Sequence, residues 1–270
     1  MDYLIQKTDH LKWLQAIGIE YYCSESIKEI EINKVIKQTE LENSKVEPMK
    51  KSVVVVNTSN FSQETTNITL ARSLADKANN IAELKESLLN FDGCELKKLA
   101  NNTVFGDGNP KAAIMLIGEA PGSNEDLKGI PFCGESGNLL DNMLSAIGIS
   151  RKDNAYITNT VFWRPPANRQ PTLDEVDICR PFVEKHIALI NPKLIILVGS
   201  TAATSLLGKN AGITKIRQEY YFYTNKYLTT PIQTTAMFHP AYLLRQPMQK
   251  RTSWYDLLKI KEYINAKLNA

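Results

Sequence analysis

Four short apolar runs, at 112–117, 155–158, 194–198 and 233–238, are separated by stretches of helical spacing, and each ends in a polar loop marked by Gly, Asn or Pro. Strands that alternate with helices form a parallel sheet covered on both faces, with right-handed crossovers. The expected fold is therefore α/β: a three-layer α/β/α sandwich around a central, mostly parallel four-stranded sheet. In such a sheet the carboxyl ends of the strands share one edge, and ligands bind in the crevice outside it. That edge collects Gly118-Glu119-Ala120-Pro121-Gly122, Asn159, Gly199-Ser200 and His239-Pro240-Ala241 from distant parts of the chain.

Helices are expected at 68–90, 137–147, 173–190, 200–207 and 252–268, with a β-rich hairpin region at 213–230. Ser136 is placed to cap the second of these. Thr172 with Glu175 has the spacing of a reciprocal cap for the third, and Asn191-Pro192 ends it. Residues 1–69 read as an extension. An amphipathic helix at 2–17 precedes a Lys/Glu/Ser/Thr/Asn-rich linker without sustained period, interrupted by Val53-Val54-Val55-Val56. The compact domain is expected over 70–270.

Composition excludes several classes. A hydrophobic share of 43% in 270 residues is enough for a sizeable core. No apolar run approaches the roughly 20 residues of a membrane helix, and the N-terminus lacks a secretory pattern, so a cytoplasmic location is expected. The net charge of +3 is too small to specify a polyanionic partner. The four cysteines contain no CxxC pair, which argues against zinc and leaves buried thiols as the simple reading.

Each loop residue has an ordinary reading beside a chemical one. Gly118 and Gly122 permit a turn or a close ligand approach. Glu119, Glu125 and Asp126 suit a helix start or a site where one of them orients water. Phe132, in a loop bounded by Pro131 and Gly134, suits a core plug or a surface for stacking on a base. Asn159 suits a turn cap, yet its amide offers one acceptor and two donors, the complement of a pyrimidine edge. Of three histidines, His10 and His186 fall in helices without a motif and are read as structural. His239, between Phe238 and Pro240, can donate a hydrogen bond to an oxygen on which charge develops. Tyr242-Leu243-Leu244-Arg245 reads as an apolar and basic loop, for core packing or for insertion into DNA.

The ordered strings GEAPGSNED at 118–126, GIPFCGESGNLLDNML at 129–144, ITN at 157–159, RPPANRQPT at 164–172, GITKIR at 212–217 and MFHPAYLLRQP at 237–247 resemble the family 4 branch of the uracil-DNA glycosylases. The resemblance covers roughly 91–268. It implies a hydrolase that flips deoxyuridine out of DNA, cleaves its N-glycosidic bond and leaves an abasic site. By position it assigns stacking on uracil to Phe132, edge recognition to Asn159, and stabilisation of the departing uracil anion to His239. Gly118 and Ala120 line the base, and Glu119 and Glu125 are the acidic positions. Arg164, Asn168, Arg169, Ser200, Tyr242, Leu243, Leu244 and Arg245 fall where the family meets DNA. Ala120 stands where the best-known branch has a water-activating Asp, so the resemblance does not assign that base.

Family 4 members usually hold a four-iron, four-sulfur cluster on four cysteines. Cys94 and Cys179 match two of those positions, but Phe91 and Trp163 stand at the others, so no metal or cofactor is expected and the two aromatics should fill the volume. A related branch reacts covalently with DNA through a histidine near the position of Asn168; no histidine lies between Asp153 and Gln170, so no trapping is expected. The partners implied are uracil-containing DNA, no membrane, and a protein partner for the N-terminal helix of an otherwise monomeric protein, in the bacterial cytoplasm with the nucleoid. Two rival readings remain at this level: a non-catalytic DNA-binding accessory of repair or replication on the same scaffold, and an enzyme acting on a small nucleotide.

Overall fold

A computed structural model describes residues 58–208, 212–217 and 219–268. The expected helix at 2–17, with His10, and the valine run 53–56 lie outside the described residues. Within them, six strands form one sheet in the order β1-β3-β2-β4-β6-β5. The four central strands are β2 (Ile114–Gly118), β3 (Ala155–Asn159), β4 (Leu194–Val198) and β6 (Ile232–Met237), and they run parallel. Two short antiparallel edges complete the sheet, β1 (Asp107–Gly108) on β3 and β5 (Tyr221–Tyr223) on β6.

The central strands are apolar throughout because both faces are covered. In β2, Met115 and Ile117 join one core with Ile195, Leu197 and Ala236; Ile114 and Leu116 join the other with Ile196, Val198 and Met237. The first core is closed by α1 (Thr58–Lys77), α2 (Ile81–Leu89) and α6 (Leu173–Ile190), and α3 (Glu95–Leu99) adds Leu96 to it. The second is closed by α5 (Glu135–Ser145), α9 (Pro240–Arg245) and α10 (Lys250–Lys267). Helices α4 (Ser123–Lys128), α7 (Ser200–Leu207) and α8 (Ile213–Ile216) start from the loops at the carboxyl edge or near it.

Several local expectations hold. Thr172 accepts from the Glu175 amide at 3.2 Å while the Glu175 carboxylate accepts from the Thr172 amide at 2.7 Å. Asn191 ends α6 in the left-handed conformation, φ 50°. Others change. The single helix expected at 68–90 is two helices, because Asn80 caps a new one by accepting from the Glu83 amide. Helix α1 begins at Thr58, inside the stretch read as linker, and buries Ala71 and Ala75 completely. Its polar N-terminal half hides the helical period from a pattern of apolar residues. Ser136 is not a cap: α5 starts at Glu135 after Gly134. The hairpin expected at 213–230 opens with α8 and supplies only the edge strand β5.

Candidate active site

The crevice lies where the strand order reverses, between the carboxyl ends of β2 and β4 and the loops beside them. It encloses about 720 Å³. Of the residues singled out from sequence, Glu119, Ala120, Glu125, Phe132, Asn159, Asn168, Arg169, Ser200, His239, Tyr242 and Arg245 line it.

Its floor depends on a missing side chain. Gly118 ends β2, and a Cβ there would lie 2.4 Å from Asn159 Oδ1 and 2.5 Å from Phe132 Cζ. The Phe132 and Asn159 side chains therefore meet over this glycine. Phe132 and His239 have ring centroids 5.6 Å apart. Gly199 has φ +97°, a conformation suited to glycine, and brings its backbone against His239 Cβ. Phe132, Asn159 and His239 thus share one cavity.

Asn159 is 1% exposed, and its Oδ1 has no hydrogen-bond partner among the described residues. A buried amide acceptor left unpaired costs about 1–3 kcal/mol. At the cavity wall such a group can accept from an incoming donor. His239 Nδ1 accepts from the Ala241 amide at 3.1 Å. That bond places the ring proton on Nε2. Burial, followed by the Arg245 charge, pushes the imidazole down to about 4, so at neutral pH it is an uncharged N–H donor.

The acidic residues separate into different roles. Glu125 accepts from the amides of Gly122 at 3.1 Å, Cys133 at 2.9 Å and Gly134 at 2.9 Å. Its carboxylate ties the GEAPG turn to the Phe132 loop. Asp126 is turned away and binds the Asn101 and Asn102 amides. Glu119 is half-buried at the wall, and no ion pair or hydrogen bond commits its carboxylate among the described residues.

At the rim, Pro240–Arg245 is a helix rather than a loop, and helical spacing divides its residues. Pro240 and Leu243 face the core, where Leu243 is fully buried. Tyr242 and Arg245 face the crevice. The expected contact of Leu243 with DNA therefore does not fit its position, and Leu244 is packed in part against the same core. Arg164 lies outside the cavity lining and donates to Asn168 Oδ1 at 2.7 Å. Arg169 is paired with both carboxylate oxygens of Glu175, at 2.6 and 2.9 Å. Gln170, Ile213, Thr214 and Phe238 also line the crevice. Sequence reading did not assign them roles, although all four fall within the strings matched to the family. His186 is fully buried, stacked on Phe105 at 4.2 Å with Nε2 3.0 Å from the Tyr156 hydroxyl, as its structural reading expected.

Phe91, Cys94, Trp163 and Cys179 are all buried. Phe91 packs on Phe182 at 5.3 Å and folds over Gly93, whose Cβ would come within 2.4 Å of the ring. Trp163 Nε1 donates to Thr103 Oγ1 at 2.9 Å. The two thiols influence each other: the neighbouring Cys179 holds the Cys94 thiol down, and burial pushes that of Cys179 well up. A four-iron cluster takes four thiolates. Two cysteines, with a phenyl and an indole ring at the other two matched positions, do not supply that set.

Residues 105–259 match the Uracil DNA glycosylase superfamily. A type-4 uracil-DNA glycosylase of Sulfurisphaera tokodaii is 38% identical over 187 residues, covering 68% of this chain and 84% of that protein. The type-4 uracil-DNA glycosylase of Archaeoglobus fulgidus is 34% identical over 192 residues, covering 70% and 95%. That of Thermotoga maritima is 37% identical over 184 residues, covering 67% and 93%. With the crevice, its three convergent side chains and these matches in view, the chain belongs to the uracil-DNA glycosylase superfamily.

Proposed function

We propose that this protein hydrolyses the N-glycosidic bond of deoxyuridine in DNA, releasing uracil and leaving an abasic site. The observation that carries this reading is the unpaired Asn159 Oδ1, buried beside the Phe132 ring and within the same cavity as His239. Uracil presents N3–H and O4 along one edge. Asn159 Oδ1 accepts from N3–H and its NH2 donates to O4, while Phe132 supports the face of the base.

Flipping a nucleotide out of the duplex costs a few kcal/mol, and least when it is mismatched or single-stranded. Once the base is seated, the C1′–N1 bond breaks and the electron pair leaves with uracil. His239 donates its Nε2–H to the oxygen where that charge gathers, without being a cation itself. Water then adds to the sugar cation, and its proton is lost. Glu119 is the crevice carboxylate with free lone pairs to orient that water; Glu125 acts through the loops it ties. On this reading the loop following GEAPG excludes the methyl group of thymine. Removing a preorganised donor of this kind costs about 2–4 kcal/mol of barrier.

We further infer that the reaction runs without an iron–sulfur cluster, since Phe91 and Trp163, both buried, stand at two of the four sequence positions matched to its ligands. Iron analysis of anaerobically purified protein should find far less than four irons per chain; a full complement with the matching visible absorption would refute this.

The experiment that tests the function is release of free uracil from a labelled uracil oligonucleotide under single-turnover conditions, with His239→Ala beside the parent. The parent should release uracil and the variant should be slowed about 10²–10³-fold. Salt-sensitive DNA binding without release would instead mark a non-catalytic accessory, and activity on free deoxyuridine nucleotide would mark a small-molecule enzyme.

A further inference from the structure

We propose that Arg151 is a positioning residue for Phe132, gripping the backbone of the Phe132 loop from outside the crevice lining. The inference rests on the proposed stacking of uracil on Phe132. Phe132 has φ 51°, a left-handed conformation that an aromatic residue rarely adopts unless its surroundings hold it there. Glycines stand near it at 129, 134 and 137 but not at 132 itself, so the restraint has to come from contacts.

Arg151 supplies them. It lies in the turn before β3 and does not line the cavity. Its Nη1 donates to the Pro131 carbonyl at 3.0 Å and its Nη2 to the Phe132 carbonyl at 2.9 Å. Two acidic side chains hold the guanidinium in turn. Asp141 on α5 accepts from Nε at 3.0 Å and Nη2 at 2.9 Å, and Asp107 on β1 accepts from Nη1 at 2.9 Å. A planar fork of fixed donors can meet two carbonyls and two carboxylates at once; an ammonium cannot. Gly137 leaves the space the arrangement needs, because a Cβ there would sit 1.9 Å from the Phe132 carbonyl oxygen. Across the same loop, Glu125 holds the amides of Cys133 and Gly134. The segment is therefore clamped by its carbonyls at one end and by its amides at the other, and the Phe132 ring is aimed between them.

The test is a double-mutant cycle of Arg151→Lys with Phe132→Ala, read by the single-turnover rate of uracil release, the affinity for uracil DNA and thermal melting. Displacing a positioned group by about 1 Å costs on the order of 10²-fold, so Arg151→Lys should slow release roughly ten- to hundredfold with DNA affinity unchanged. In the Phe132→Ala background the same change should cost less than about twofold, because Arg151 then has no ring to place. If Arg151→Lys slows both backgrounds equally, Arg151 is a general support of the fold and the proposal fails. Should Arg151→Lys not fold, Asp141→Asn loosens the far side of the clamp with Arg151 in place. It should slow the parent but not Phe132→Ala, and equal slowing of both overturns the proposal in the same way. A Phe132→Ala protein as fast as the parent would overturn the stacking reading itself, and the inference with it.

Discussion

Replacing Gly118 by alanine is the sharpest test of how the crevice is built. Gly118 has no left-handed backbone torsion, so alanine meets no conformational penalty there. The whole effect comes from one methyl group. That Cβ would sit 2.4 Å from Asn159 Oδ1 and 2.5 and 2.6 Å from Phe132 Cζ and Cε2, where ordinary contacts lie at 3.4–4 Å. Both side chains must withdraw by about 1 Å, and they are the two proposed to hold the base. Overpacking of this kind costs typically 1–3 kcal/mol of stability, and a misplacement of about 1 Å costs on the order of 10²-fold in rate, or roughly 2.7 kcal/mol of barrier. Gly118→Ala should therefore melt only modestly lower than the parent. It should release uracil about a hundredfold more slowly in single-turnover assays at saturating enzyme. A variant that folds and keeps a rate within about threefold of the parent would show that Asn159 and Phe132 do not jointly position the substrate.

Heteronuclear NMR of His239 at pH 6 should show a neutral ring protonated on Nε2, as the Ala241 amide bond and the depression to about 4 require; an imidazolium at that pH would contradict the donor role. His186, pushed down to about 3 by burial, is neutral when folded but takes a proton near 6.5 when unfolded. Its contribution is fully present above about pH 6.5 and is lost as pH falls toward 3, at up to about 1.4 kcal/mol per pH unit. Urea denaturation between pH 7 and 5 should accordingly give a shallower decline for His186→Phe than for the parent, and parallel declines would refute this. Glu125→Ala should lower both melting temperature and activity, since hydrogen bonds to a charged group contribute about 1.5–3 kcal/mol each; Glu119→Ala should lower activity alone. Equal melting of the two variants would undo that division of roles. DNA affinity should fall steeply with salt, and Arg245→Ala should flatten the slope of log K against log salt by about one contact; an unchanged slope would place Arg245 away from phosphate.

The layer architecture and the location of the site follow from local pattern. Short apolar runs such as 194–198 can be buried only as central strands, and polar residues at their carboxyl ends then share one edge. Asn159 and His239 were legible for that reason. What the chain order could not reveal was which way individual side chains are spent. Glu119 and Glu125 look equivalent in a string of letters, yet only the folded loops show that three amides claim Glu125. Leu243 and Tyr242 are neighbours in a stretch read as loop, and only the turn of α9 sends one into the core and the other to the crevice. Helix α1 starts at Thr58 because its later turns pack on α6, a tertiary contact that no local period announces. Hydrophobic period is a short-range property of the chain and determines the elements and the edge they share. Hydrogen-bond allegiance is decided between residues far apart in the sequence, so the roles of Arg151, Glu125 and Leu243 exist only in the folded molecule.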